Sequence, residues 1–221
     1  MNNIGVIIVA GGSGSRMKSN TPKQFITIDG NPLLQYTIDR FFDWNRTIDL
    51  VLVLPENEIE TWKNLVSKNK YISNYQICSG GKERFYSVKN GLGLLKAEII
   101  MIHDGVRPFV SNKTLDHCLE TTEKSGSAIP VISVIESVRK ITAEDSHPID
   151  RNNFKIVQTP QCFKKEWIDK AYQQEFSAEF IDDASVVQKA GYPIHLVEGN
   201  RENIKITTPG DLRLAEFYLC K

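Results

Sequence analysis

Ile4-Gly5-Val6-Ile7-Ile8-Val9-Ala10-Gly11-Gly12-Ser13-Gly14-Ser15-Arg16-Met17 begins as an apolar, β-branched run and turns at Gly11 into a loop of glycines and hydroxyls. Unbroken apolarity of this length suits a strand covered on both faces. Similar runs return at 50–54, 99–103 and 128–134, and between them lie stretches of helical spacing at 32–42, 56–68, 83–95 and 112–124. Several of those helices open on Pro, Ser or Glu, residues that suit a first turn. The alternation predicts an α/β fold with a Rossmann-like, doubly wound, mostly parallel sheet, whose ligands bind beyond the carboxyl ends of the strands. Functional residues are therefore expected in the loops at 11–24, 79–84, 104–108 and 203–208.

The chain of 221 residues is long for one ordinary domain and short for two, so a single domain over 1–221 is expected. From 137 to 155 charged residues interrupt short β-like runs around the turn Asp145-Ser146-His147-Pro148, which predicts a protruding hairpin arm at about 136–157. Hydrophobic residues make up 41% and charged residues 24%, the balance of a packed globular protein. Lys plus Arg and Asp plus Glu cancel at 27 each, so neither a nucleic acid nor a membrane surface is the expected partner. Any anion site must be local. Cys78, Cys118, Cys162 and Cys220 are widely separated, which fits reduced thiols in a cytoplasm better than a zinc site or a disulfide framework. No Lys or Arg precedes the run at 4–10, unlike a secretory leader, and no run approaches the ~20 apolar residues of a membrane span.

Glycines after a buried strand let backbone N–H groups close around phosphate oxygens. Arg16 and Lys23 add fixed positive charge to the same loop, which a polyphosphate needs when charge builds up at a phosphorus under attack. Three readings compete. A Walker loop fails, because Gly-x-x-x-x-Gly-Lys-Ser/Thr does not occur. A dinucleotide fingerprint, the signature of an NAD-dependent oxidoreductase, matches only through Gly12-x-Gly14, since Met17 stands at the third glycine position. A glycine-rich turn without a ligand is the third.

Ala10-Gly11-Gly12-Ser13-Gly14-Ser15-Arg16-Met17 followed by Pro22-Lys23-Gln24-Phe25 resembles the signature loop of nucleotidyltransferases acting on sugar phosphates. Within that superfamily the chain is similar over nearly its whole length to the 2-C-methyl-D-erythritol 4-phosphate cytidylyltransferase family. The resemblance is carried further by Gly80-Gly81-Lys82-Glu83-Arg84, Ser87-Val88-Lys89-Asn90-Gly91, His103-Asp104-Gly105-Val106-Arg107-Pro108, Gln158-Thr159-Pro160-Gln161, Asp182-Asp183-Ala184-Ser185 and Asn203-Ile204-Lys205-Ile206-Thr207.

The resemblance implies transfer of CMP from CTP to a polyol phosphate by a homodimer, with Mg²⁺ held mainly by the CTP phosphates. Ala10, Gly11, Gly12, Ser13, Gly14, Gly81, Arg84, Ser87 and Gly105 would hold CTP, and Arg16 and Lys23 would stabilise the transition state. Asp104, Arg107, Ser137 and Thr159 would line the acceptor side. Lys205 and Arg151 would orient the acceptor phosphate, Arg151 reaching the partner's site from the arm.

The bare residues also allow blander readings. Asp104 and Arg107 can be a surface ion pair, Gly80-Gly81 a turn before a helix, and Lys205 a solvated lysine set opposite Ile204 and Ile206 on a strand. His103, ending an apolar strand, reads as a packed, hydrogen-bonded residue. One departure concerns the acceptor: Ile181 stands where the family commonly has a threonine, and its side chain cannot hydrogen-bond. That keeps a ribitol 5-phosphate cytidylyltransferase as the nearest rival, with a catalytically silent nucleotide-binding module behind it.

Overall fold

A computed structural model describes residues 3–11, 21–67 and 74–219. Along the chain run β1 (Ile4–Val9), β2 (Thr27–Ile28), β3 (Asn31–Pro32), α1 (Leu33–Trp44), β4 (Asp49–Leu54), α2 (Ile59–Leu65), β5 (Tyr75–Ser79), α3 (Arg84–Leu92), β6 (Ile99–Asp104) and α4 (Asn112–Ser125). Then follow β7 (Ser127–Ser133), β8 (Val138–Ile141), β9 (Ser146–Ile149), β10 (Lys155–Val157), β11 (Gln161–Lys164), α5 (Lys165–Ala171), α6 (Asp183–Lys189), β12 (Leu196–Glu198) and α7 (Pro209–Leu219). The main sheet has the order β10-β7-β11-β6-β1-β4-β5, with β12 also paired to β7. β1 pairs in parallel with both β4 and β6, and among the described strands of this sheet only β10 and β11 run against the common direction.

Alternation along each central strand decides which helix it meets. Val6, Ile8, Leu50, Leu52 and Met101 face Leu34, Ile38 and Phe41 of α1, Trp62 of α2 and Leu115 of α4. Ile7, Val51, Val53, Ile100 and Ile102 face Val88 and Leu92 of α3, Ile168 of α5 and Val187 of α6. Both faces are thus covered, as the unbroken apolar runs require. Burying each such side chain contributes about 1.5–3 kcal/mol, so a one-residue register slip would exchange two cores.

Some expected boundaries move. The helix expected at 56–68 splits into a 3₁₀ turn at Glu56–Glu58 and the short α2, and α3 stops at Leu92 because Gly91 and Gly93 disfavour continuation. No strand forms at 203–207; Ile206 N–H bonds the Val106 carbonyl, a loop partner, instead of a ladder. Within 136–157, β8 and β9 form a separate two-stranded hairpin, Val138 opposite Ile149, and β10 returns the chain to the main sheet beside β7.

Candidate active site

The carboxyl ends of β1, β5 and β6 are stitched together at one edge of the sheet. Ala10 N–H bonds the Val53 carbonyl at 3.0 Å, Gly80 N–H the Leu54 carbonyl at 2.7 Å, and Gly105 N–H the Val9 carbonyl at 2.9 Å. The three loops that leave these strands therefore start side by side. A cavity opens between them, lined by Ala10, Gly11, Lys23, Gly81, Lys82, Arg84, Ser87, Asp104 and Lys205 together with Val9, Gln24, Glu83 and Val106. Four cations against two carboxylates make this lining suited to an anion.

Two glycines are required here by close approach. A Cβ on Gly81 would stand 2.3 Å from Cβ of Tyr86, and one on Gly105 would stand 2.9 Å from Cβ of Ala10. Each lets the loop hug its neighbour and leaves the cavity wall to backbone. Ser87 serves the same turn: its Oγ accepts from Gly81 N–H at 3.1 Å and donates to the Glu83 carbonyl at 3.2 Å.

Lys23 enters from a 3₁₀ turn, Lys23–Phe25, whose next two residues are pinned. Gln24, 1% exposed, donates through Nε2 to Glu58 Oε2 at 2.7 Å, and Phe25 stacks on Trp62 at 5.7 Å between ring centroids. Burial pushes the Glu58 carboxyl up, with the Gln24 hydrogen bond opposing.

Asp104 is the electrostatic hub. Its Oδ2 accepts from Arg107 Nε at 2.9 Å and lies 3.1 Å from Lys205 Nζ. Burial alone would raise its pKa, but Lys205, Arg107 and Arg84 together hold it well below the usual carboxylate range. Lys205 is delivered by hydrogen bonds around Asn203, a fully buried residue whose carbonyl accepts from Arg107 Nη1 at 2.8 Å and whose Nδ2 donates to the Thr159 carbonyl at 2.8 Å. A strand is not needed to place the ammonium beside Asp104.

His103 and Thr159 stand behind that hub. Thr159 Oγ1 accepts from Asp104 N–H at 3.1 Å and meets His103 Nδ1 at 3.0 Å, while His103 Nε2 lies 2.9 Å from the Arg107 carbonyl. A carbonyl can only accept, so the network assigns the proton to Nε2. Burial first, with Arg107 and Lys205 adding, lowers the His103 pKa to about 4 against the pull of the Arg107 carbonyl and Asp104. The imidazole is neutral at physiological pH and structural, as its position at a strand end suggests.

Ala10, Gly11, Lys23, Gly81, Arg84, Ser87, Asp104 and Lys205 thus line one cavity; Gly105 and Arg107 support it, and Thr159 lies one layer deeper. Gly12, Ser13, Gly14 and Arg16 lie outside the described residues. Ser137 and Arg151 are exposed on and beside the hairpin, and neither lines this chain's cavity; Arg151 Nη1 bonds the Ile135 carbonyl. Ile181 is 83% exposed. Gln24 enters the sequence reading only as part of the Pro22-Lys23-Gln24-Phe25 motif and without a role, and Glu58, its partner far along the chain, carries no signal in the sequence.

The family model for IspD, 2-C-methyl-D-erythritol 4-phosphate cytidylyltransferase, matches residues 4–221. The enzyme of that name from Bacteroides thetaiotaomicron is 46% identical over 97% of this chain and 98% of its own. Among solved structures, 4-diphosphocytidyl-2C-methyl-D-erythritol synthase from Anaerococcus prevotii superposes with a TM-score of 0.83 at 27% identity, covering 100% of this chain and 99% of that one. The 2-C-methyl-D-erythritol 4-phosphate cytidylyltransferase from Thermus thermophilus gives 0.77 at 29% identity, covering 97% and 98%. These matches, with a cationic cavity at the ends of the sheet strands, mark the chain as a nucleotidyltransferase. The chain belongs to the 2-C-methyl-D-erythritol 4-phosphate cytidylyltransferase family.

Proposed function

We propose that the protein transfers CMP from CTP to 2-C-methyl-D-erythritol 4-phosphate, giving 4-diphosphocytidyl-2-C-methyl-D-erythritol and pyrophosphate in non-mevalonate isoprenoid precursor synthesis. The observation that carries the reading is the meeting of Lys23, Arg84, Asp104 and Lys205 in one cavity beyond the strand ends. An acceptor phosphate oxygen attacks the α-phosphorus, its bond to the bridging oxygen breaks, and the electron pair leaves with pyrophosphate. Such transfer depends on positioning and charge stabilisation and needs no covalent enzyme intermediate. Among the described residues, no His or Cys lines the cavity.

Lys23 is assigned to charge at the reacting phosphorus, with Arg16 from the same loop, and Lys205 to the acceptor phosphate. Gly11 and Ala10, with Gly12, Ser13 and Gly14, are assigned to the triphosphate, and Gly81 and Ser87 to the base. Mg²⁺ is assigned mainly to the CTP phosphates, with Asp104, otherwise part of the acceptor side, the candidate carboxylate beside it. Mg²⁺ typically takes one or two carboxylates and fills its shell with phosphate oxygens and water, so a lining with Asp104 and Glu83 fits it. When bound, the ion offsets triphosphate charge.

A homodimer in the cytoplasm, with arms exchanged between active sites, completes the proposal. Ser137 and Arg151 stand apart from their own cavity, and the segment that carries them exposes Ile135, Ile141, Phe154, Ile156 and Val157. Exposed large apolar side chains along one segment suit a protein interface. Cys78, Cys118 and Cys162 are free thiols, which suits a reducing compartment, and among the described residues no helix is long and apolar enough to cross a membrane.

Pyrophosphate release from CTP, measured with 2-C-methyl-D-erythritol 4-phosphate and with ribitol 5-phosphate in turn, tests the assignment. Release with the first and not the second is expected. Preference for ribitol 5-phosphate would overturn the acceptor, and no release with either would overturn the transfer.

A further inference from the structure

Asp182-Asp183-Ala184-Ser185 has no role in the reaction assigned above, yet its second carboxylate grips a residue of the cavity wall. Arg84 lines the cavity, with its side chain 34% exposed, while Asp183 is fully buried and does not reach the cavity. Arg84 Nη1 donates to Asp183 Oδ1 and Nη2 to Oδ2, each at 2.6 Å. Tyr172, 2% exposed, donates its hydroxyl to the same Oδ1 at 2.6 Å. The carboxylate is itself held in place. It belongs to the first residue of α6, whose start is fixed by a capping box between Asp182 and Ser185 and by Gln161, which accepts from Ala184 N–H at 2.7 Å and donates to Asp182 at 2.8 Å.

A fork-to-fork pair fixes a guanidinium in angle as well as place. Arg84 would otherwise lose rotamer freedom each time a ligand bound; tied to Asp183 it has lost that freedom beforehand, and its remaining N–H groups are aimed in advance. The Asp183 charge also offsets that of Arg84, so Arg84 offers the cavity directional donors more than net charge. The ring of Tyr172 stacks on Phe85, the residue after Arg84, at 4.7 Å, so the orienting hydroxyl and the arginine share one rigid block.

We propose that Asp183, oriented by Tyr172, is a positioning residue that sets the Arg84 guanidinium for nucleotide capture. This rests on the reading of the cavity as the CTP site. Arg84 shares its wall with Gly81 and Ser87 on the β5–α3 side, while Lys23 and Lys205 come from other elements; Asp183 therefore governs the KM for CTP and not the transfer step.

A double-mutant cycle in steady-state pyrophosphate release tests this, with each assay run below the variant's own melting temperature. Asp183→Asn is expected to raise KM for CTP about tenfold with kcat within about threefold of wild type, the size of an ordinary coupling between contacting residues. Arg84→Met should do the same, and Asp183→Asn/Arg84→Met should be no worse than Arg84→Met alone. Tyr172→Phe, which keeps the stacked ring and loses only the hydroxyl, should raise KM about threefold and have no effect in the Arg84→Met background. If Asp183→Asn does not fold, the Tyr172→Phe pair decides alone. Additive losses, an unchanged KM in the single variants, or a fall in kcat at constant KM overturns the positioning role. Absence of CTP-dependent release by the wild type overturns the CTP reading and this role with it, which separates the two failures.

Discussion

Asp104 and His103 are neighbours with opposite protonation behaviour, and their partners account for it. Asp104 is depressed below the ordinary carboxylate range by Lys205 and Arg107, outweighing its burial. A carboxylate depressed on folding contributes stability that is present above its unfolded pKa and lost only as pH falls through the lower folded value. Asp104 therefore stays ionised throughout the working range and does not shape the acid limb of activity. His103 is lowered to about 4 by burial. Between that value and an unfolded pKa of about 6.5 the unfolded chain binds the extra proton, so stability falls as pH drops through this window. Linkage puts the loss at about 2 kcal/mol between pH 7 and pH 5. Urea unfolding at the two pH values should show it, and His103→Gln should remove most of the difference; an equal difference in the variant would refute the assignment. Lys23→Ala is expected to lower kcat by about 10²–10³ with a smaller change in CTP binding, the usual consequence of losing one preorganised charge at a transition state. Single-turnover and CTP-binding measurements separate the two.

At the level of elements, the hairpin of β8 and β9 is distinct from everything around it. None of its residues joins the buried clusters that pack the main sheet, and Ile141 is 80% exposed. Replacing 138–149 by a short Gly-Ser link should therefore move the melting temperature of the chain by only a few degrees, apart from any part due to dimer loss, since no buried cluster loses a side chain. Activity should nonetheless collapse if the arm completes a neighbouring site. An active chain without its hairpin would remove the arm from the mechanism. The segment at 203–207 makes a complementary point: it is not a strand, yet Asn203 and Arg107 hold it so that Lys205 meets Asp104 at 3.1 Å. Hydrogen bonds from the side chains of Asn203 and Arg107 do here what a ladder does elsewhere.

For the whole molecule, the proposed sharing of sites between subunits has a measurable signature. Lys23→Ala and Arg151→Ala chains, each inactive alone, should recover activity when mixed under subunit exchange. Random mixing makes about half the dimers mixed, and each mixed dimer regains one site of two, so roughly a quarter of wild-type activity is expected. No recovery, with dimers confirmed by sedimentation, would place each active site within one chain. Ile156→Lys, in the exposed apolar surface beside the arm, should shift the sedimenting species toward monomer.

The apolar runs at 4–10, 50–54 and 99–103 determined the doubly wound sheet, because a strand buried on both faces has no polar position to spare and so declares itself in the sequence. Gly11 and Lys23 were legible as site residues for a related reason: in such a sheet the loops after the strands can meet only at one edge. Gly81 and Lys205, which read as well as a turn and a solvated lysine, were singled out by the family resemblance. The resemblance to a family then added the nucleotide. What only the tertiary structure decided is how those residues are held. The pairs Arg84 with Asp183, Gln24 with Glu58, and Thr159 with His103 and Asp104 join positions 99, 34, 56 and 55 residues apart. No local periodicity records such contacts. They exist because folding brings distant polar groups into one desolvated layer, where each must find a partner, and the partner it finds sets the charge and the aim of the residues in the cavity.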